Sequence, residues 1–249
     1  MNLDAIYILW LREIKRFLRS KSRIIGSLAF PSFILIIIGT GLNSVITFGS
    51  ISYLEFLAPG MIGMVLLFSS ISFGIMIIWD KQFGFLKEIL VAPISRTSII
   101  IGKTLGGVTT SMFQAILFLA VCFAIGVKFP SSLRLVLLFI VMTLIAIGFV
   151  LVGISFSCRM KDFHGFSLIM NFVILPIFFL SGAFFPLERL PEWLKWFVYI
   201  DPLTYGVDAL RFCLVNTSTF PIWLNLLVLI AFGSIATSIG TLLFRTSQL

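Results

Sequence analysis

Residues Leu135–Cys158 read LVLLFIVMTLIAIGFVLVGISFSC, 24 consecutive positions without an Asp, Glu, Lys or Arg. A helix rises 1.5 Å per residue, so ~20 apolar residues cross the ~30 Å hydrocarbon core of a bilayer. Lipid offers no partner to a bare backbone, so a stretch of this kind must satisfy its own amides as an α-helix. Five further charge-free stretches flank it: Ile24–Leu54, Phe56–Trp79, Thr104–Val127, Gly165–Leu187 and Phe212–Phe244. Each is long enough to span. The first and last exceed one upright crossing, and polar residues at Asn43 to Ser52 and Asn216 to Thr219 mark where those helices leave the membrane.

Composition agrees with this reading. Apolar residues form 59% of the 249-residue chain and charged residues 11%, whereas a soluble domain is about half apolar and a quarter charged. The expected fold is an all-α integral membrane protein, a single transmembrane domain over 1–249. Its spans fall at about 24–46, 56–79, 104–127, 135–158, 165–185 and 222–244. The 28 phenylalanines suit an outer surface facing lipid tails.

The net charge of +8 does not point to nucleic acid, because the charges lie between the apolar runs as topology signals do. With the N-terminus in the cytoplasm, 13 Lys and Arg fall on the inner side. They are Arg12, Lys15, Arg16, Arg19, Lys21, Arg23, Lys81, Lys87, Arg96, Lys103, Arg159, Lys161 and Arg245. Only Lys128, Arg134, Arg189, Lys195 and Arg211 fall outside. Both termini are therefore expected in the cytoplasm. The first apolar run is too long for a signal-peptide core, and no small-residue cleavage site follows it.

Three segments between the spans differ in character. Asn2–Ser22 repeats Leu3, Tyr7, Trp10, Ile14, Phe17 and Leu18 at helical spacing, with Arg12, Lys15, Arg16 and Arg19 around them. That is a basic amphipathic helix, suited to lying along the membrane surface over residues 1–23. Ile8, Leu9 and Leu11 blur its pattern. In the cytoplasmic loop 80–103, Phe83, Phe85, Leu86, Ile89 and Leu90 form one apolar face of a short helix ending before Pro93. Aromatics on a charged loop suggest docking. The aromatic outer segment 186–214 reads as two short helices. Pro191 opens the first; Asp201 caps the second, with Pro202 at its first turn.

Signals for chemistry are sparse. Gly102-Lys103-Thr104 matches the end of a phosphate-binding loop, but Thr97 stands where its first glycine belongs, so Lys103 reads as a positive-inside anchor. His164 is the only histidine, and Cys122, Cys158 and Cys213 have neither metal nor disulfide spacing, so no metal site is expected. The spans show neutral amides (Asn43, Gln114, Asn171, Asn225) and the helix breakers Pro31, Pro59 and Pro176. Asn43 and Asn171 are candidates for a translocation path, against the plainer role of hydrogen-bonding between helices. Gly102 and Gly106 with Gly107 would let helices approach closely.

Three motifs in order resemble the permease subunits of type-2 ABC exporters. They are Tyr53-Leu54-Glu55-Phe56-Leu57-Ala58-Pro59-Gly60; the run Trp79 to Arg96 (WDKQFGFLKEILVAPISR); and Leu180-Ser181-Gly182-Ala183-Phe184-Phe185-Pro186, followed by Leu190-Pro191 and Asp201-Pro202-Leu203-Thr204-Tyr205. The resemblance covers essentially the whole chain and, through Gln82–Arg96, is greatest to the drug-exporter branch. It implies that the loop is a coupling helix docking into a separate ATPase, with Phe83, Phe85 and Leu86 inserted. Lys87, Glu88 and Arg96 would make polar contacts, and Pro93 and Ser95 would complete the loop. The outer helices, with Pro186, Pro191, Asp201, Pro202 and Tyr205, would close the exit, and Glu188, Glu192, Asp201 and Asp208 could bias cargo there, although a solvated face is the plainer account of these acids. It further implies a second permease copy, two ATPase copies carrying the ATP and Mg, no cofactor on this chain, and no enzymatic role. The setting would be a prokaryotic inner or plasma membrane, and alternating access would export a hydrophobic or amphiphilic compound. The rival is an ATPase-independent secondary transporter or channel, disfavoured because no ionisable residue lies within the spans.

Overall fold

The computed structural model describes residues 2–42, 47–48, 51–85, 89, 91, 94–128, 130–160 and 162–246. In order, the helices are α1 (Leu3–Arg19), α2 (Lys21–Ile34), α3 (Tyr53–Gln82), α4 (Arg96–Ile125), α5 (Ser132–Arg159), α6 (Phe163–Leu180), α7 (Glu192–Ile200), α8 (Pro202–Val215) and α9 (Ile222–Thr246). A π-helical turn, Leu35–Thr40, extends α2, and a single 3-10 turn covers Leu187–Arg189. Six helices are long and apolar enough to cross a membrane: α2 with its π turn, α3, α4, α5, α6 and α9. The all-α reading and the six spans hold.

Local chemistry sets the boundaries. At the start of α3, the Ser52 hydroxyl accepts from the Glu55 amide while the Glu55 carboxylate accepts from the Ser52 amide, a reciprocal cap closed at 3.2 Å on both sides. Ahead of it, the two-residue strands Thr47–Phe48 and Ile51–Ser52 pair antiparallel, the only sheet among the described residues. Ser95 caps α4 by accepting from the Ser98 amide. Asn216 ends α8 in the left-handed region (φ 62°), which Asn tolerates better than most side chains.

Both α3 and α4 run for 30 residues, about 45 Å at 1.5 Å per residue, against a core of ~30 Å. Each therefore reaches beyond the span expected from its charge-free run. α4 begins at Arg96, eight residues before the anticipated 104, and α3 continues through Asp80 and Lys81.

The central helix is α3, the most enclosed of the six; α2, α6 and α9 are the most open. It packs on α4, α5 and α8, and α9 closes against α5 and α8. α3 and α5 cross almost backbone to backbone: a Cβ added at Gly74 would stand 2.4 Å from the Gly153 carbonyl oxygen. Leu57, Met61, Leu66, Val141, Ile145 and Phe149 fill the core between them.

Candidate functional site

The feature that separates this fold from a plain bundle is how α1 seats on α4. Asn2 donates its amide to the Ser98 hydroxyl at 3.2 Å, Trp10 donates its indole N–H to Thr109 at 3.0 Å, and the Phe17 and Phe113 rings meet edge-on at 5.9 Å. The two helices thus run side by side in the same direction. The G-x-x-x-G step makes this possible: a Cβ on Gly102 would meet Leu9 Cβ at 3.0 Å and one on Gly106 would meet Glu13 Cβ at 2.7 Å. The buried face of α1 is Ile6, Leu9, Glu13 and Phe17. Leu9, which blurs the pattern in sequence, is therefore a packing residue. Leu3, Tyr7 and Leu18 stay exposed on a second apolar face, so α1 offers one face to α4 and leaves another uncovered.

Glu13 lies in that seam and does not stand alone. Lys103 Nζ donates to Glu13 Oε1 at 2.7 Å and also to Asp80 Oδ2. Arg12 grips both oxygens of Asp80, at 2.9 and 3.2 Å, and reaches Glu13 at 3.0 Å. Arg16 adds a contact to Asp80 at 3.1 Å. Glu13, Asp80 and Lys103 are each no more than 2% exposed, whereas Arg12 and Arg16 keep about 30% of their side chains in the open. Two acids and three bases thus tie α1, the end of α3 and the start of α4 together. This corrects the sequence reading of Lys103 as a membrane anchor: Gly102 and Lys103 build a helix seam. Sequence reasoning missed Glu13 as well. The legible signal was an acid in register with Leu9 and Phe17 at i±4 spacing.

The loop expected to dock hangs from this cluster. Phe83 is 71% exposed and packs on Trp79 with ring centroids 5.1 Å apart. Phe85 instead lies beneath the Arg12 guanidinium, 3.5 Å from ring centroid to carbon, so it braces the loop. Ile89 is buried with Leu9, Met76 and Ile77, and Val91 is 86% exposed. The described residues Phe85, Ile89 and Val91 are helical. Ser95 and Arg96 are exposed at the start of α4. Leu86, Lys87, Glu88 and Pro93 lie outside the described residues, as does Asn43. Asn171 sits on the exposed face of α6 among Leu168, Phe172 and Leu175.

At the other end of the bundle, Pro186 precedes the 3-10 turn and Pro191 stands one residue before α7. Asp201 caps α8 as expected, accepting from the Leu203 amide at 2.9 Å, with Pro202 in the first turn. The Tyr205 hydroxyl donates to the Tyr199 carbonyl at 2.9 Å. Asp208 departs from expectation. It is buried, and its carboxylate accepts from the Thr219 and Phe220 amides at 2.8 and 3.0 Å and from Asn225 Nδ2 at 2.9 Å. A carboxylate buried on three donors is not the solvated charge expected of it. Arg211, counted above as an outer surface charge, is buried too. It donates to the Gly182 carbonyl at 2.8 Å and lies 4.1 Å over the Phe56 ring. Burial lowers its pKa to about 10, opposed by Asp208.

Burial also pushes the Asp201 carboxyl up to about 7 from its ordinary 3.8, with the Leu203 and Thr204 hydrogen bonds offsetting part of the rise. The folded chain holds this proton more tightly than the unfolded one. The stability it contributes is fully present below 3.8 and is lost as pH rises toward 7. Asp201→Asn keeps an acceptor for Leu203 but cannot ionise. Comparing thermal unfolding at about pH 5 and about pH 8, the expected result is a smaller loss of stability in the variant than in the natural chain. Parallel curves would show that Asp201 stays ionised throughout.

A family model and three relatives bear on these features. The ABC-2 type transporter family model matches residues 4–215. The chain is 29% identical over 167 residues to the putative transport permease ycf38 of Porphyra purpurea, covering 67% of this chain and 57% of that one. It is 28% identical over 231 residues to the inner membrane transport permease YadH of Escherichia coli K12, covering 92% and 90%. It is 27% identical over 210 residues to the probable multidrug ABC transporter permease YbhR of the same organism, covering 79% and 54%. The chain thus spans little more than half the length of ycf38 and YbhR and nearly all of YadH.

Proposed function

The chain belongs to the ABC-2 type transporter family as a multi-pass transport permease, and from that premise we propose that it is the membrane half of an exporter driven by a separate ATP-binding-cassette ATPase. The observation that carries this reading is the segment from Phe83 to Arg96. It joins two helices about 45 Å long, is clamped at its root by Arg12, Asp80 and Lys103, and presents Phe83 and Val91 outward. An exposed aromatic on a rigid mount is the kind of anchor a partner's pocket engages. A push on this loop passes to α1, α3 and α4 together, because breaking any buried pair in the cluster costs about 3–5 kcal/mol.

ATP and Mg would sit on the partner, and closure of two ATPase copies would drive two permease copies between inward- and outward-open states. The open face of α6 carrying Asn171 supports a path, or a second copy, along that side, and α7 and α8 would form the exit cap. Both termini would lie in the cytoplasm, and the cargo would be a hydrophobic or amphiphilic compound.

The test is affinity purification of the tagged chain from native membranes in mild detergent, with mass spectrometry of what accompanies it. The expected result is a stoichiometric ATPase that is retained by Phe197→Asp, a change on exposed α7, and lost on Phe83→Asp. A chain recovered alone under every detergent condition would favour an ATPase-independent carrier instead.

A further inference from the structure

A cavity of about 550 Å³ lies between α2 and α3, with Phe17 of α1 and Thr110 and Gln114 of α4 completing its lining. At the end away from α1, α2 approaches α3 through its π turn. There the π turn seats on α3: a Cβ on Gly39 would stand 2.8 Å from Leu54 and 3.7 Å from Leu57. Toward the α1 end, small residues face the gap without filling it: Gly26 and Ser27 from α2, Ser69 and Ser72 from α3. A Cβ on Gly26 would meet nothing within 4 Å. Along α3 the lining runs from Met64 to Trp79, fifteen steps or about 22 Å.

The lining has three chemical parts. Phe30, Phe68, Phe73 and Met76 make its walls apolar. Arg23 is its one charged residue; its Nη1 lies 3.5 Å from the Met76 sulfur, a weak acceptor, and among the described residues no carboxylate is within 4 Å of it. Gln114 is 3% exposed, and among the described residues its Oε1 has no donor. Buried polar atoms are nearly always paired, so an orphan acceptor in a cavity wall calls for a ligand that brings a donor. Cavities of ~300–1,000 Å³ with apolar walls and a few fixed polar groups are the usual form of a small-molecule site.

We infer that this groove binds an anionic acyl-chain amphiphile drawn sideways from the bilayer: its chain along α3, its head group on Arg23, and a hydroxyl or amide of its linker on Gln114. Entry is lateral because the groove's open edge, at Phe30 (58% exposed) and Ser72, lies within apolar spans that a water-borne ligand does not reach. Guanidinium is the cation best matched to phosphate or carboxylate oxygens. The site is complete within one chain and is independent of whether an ATPase drives transport.

The 249-residue chain in phosphatidylcholine nanodiscs tests this with two photoreactive probes. One is phosphatidic acid carrying a mid-chain diazirine, and the other is phosphatidylcholine carrying the same chain. The expected result is phosphatidic acid adducts concentrated on α3 from Met64 to Trp79 and on α2 from Gly26 to Pro31, exceeding those of the zwitterionic probe. Gly26→Phe fills the open space while improving a helical position, and it should abolish that labelling with the fold intact. Arg23→Gln should cut the preference for the anionic probe by about tenfold, the worth of one charge-assisted hydrogen bond pair. The proposal falls if adducts spread evenly over the lipid-facing helices, if Gly26→Phe leaves them unchanged, or if the two probes label alike. An ATPase lost or retained in the purification above changes none of these outcomes.

Discussion

Asp80→Asn is expected to lower the thermal midpoint of the purified chain by about 6–12 °C and to free α1 from α4. The first figure follows from a cost of ~3 kcal/mol and a shift of ~2–4 °C per kcal/mol at this chain length. The lower end of the usual range applies because the cost is unevenly shared. Arg12 and Arg16 are about 30% exposed and can turn to water once Asp80 is neutral. Lys103 is 2% exposed and cannot. Among the described residues it keeps Glu13, at 2.7 Å, as its one anion, while Arg12 draws on the same oxygen. Hydrogen exchange along α1 is the direct readout, and the double variant Asp80→Asn/Lys103→Met is the control. Removing the stranded cation should recover a large part of the loss, since residues in one charge network do not add independently. An Asp80→Asn chain with unchanged exchange in α1 would show that the seam is held by Leu9, Phe17 and the two glycines alone.

Asp208→Leu should be comparably severe at the opposite end. One carboxylate there satisfies the Thr219 and Phe220 amides and the Asn225 side chain, and it is the acid whose charge acts on the buried Arg211 guanidinium. Leucine strands three donors and a buried cation together. Each unsatisfied buried donor costs about 1–3 kcal/mol, so the connection between α8 and α9 is expected to open to protease while the spans remain folded. The change should exceed that of Asp201→Ala, whose cap is worth ~1 kcal/mol. Asp208→Asn preserves one acceptor and should fall between. Equal protease sensitivity of Asp208→Leu and the natural chain would mean that the connection is held by Phe220 against Tyr199 and Tyr205, whose rings lie 6.0 and 5.2 Å away.

These two clusters explain where the sequence was readable and where it was not. The stretch 135–158 is legible because transfer into lipid is a sum over consecutive residues, and that sum is local. Asp201-Pro202 is legible for a similar reason: a cap and its first turn lie within three residues of each other, and the Leu203 amide is found where the pattern requires. The coupling loop is legible only in part. Its aromatic spacing is what suggests the proposed docking role, yet nothing local distinguishes Phe83, left outward, from Phe85, drawn under Arg12. The amphipathic helix shows the same limit, since its apolar residues divide between two faces and the sequence does not say which one α4 takes.

The sequence by itself determined the number of spans, the helical class and, through three ordered motifs, the family. Only the tertiary structure decided what the charges do. Lys103 finds Asp80 at a separation of 23 residues and Glu13 at 90, and Asp208 finds Asn225 at 17. Such pairings depend on which helix faces meet and at what height. That is set by close approaches such as Gly106 on Glu13 and Gly74 on Gly153. A charge beside an apolar run reads as a solvated anchor until packing removes its water. At that point desolvation makes a partner obligatory, and the same residue becomes part of the core.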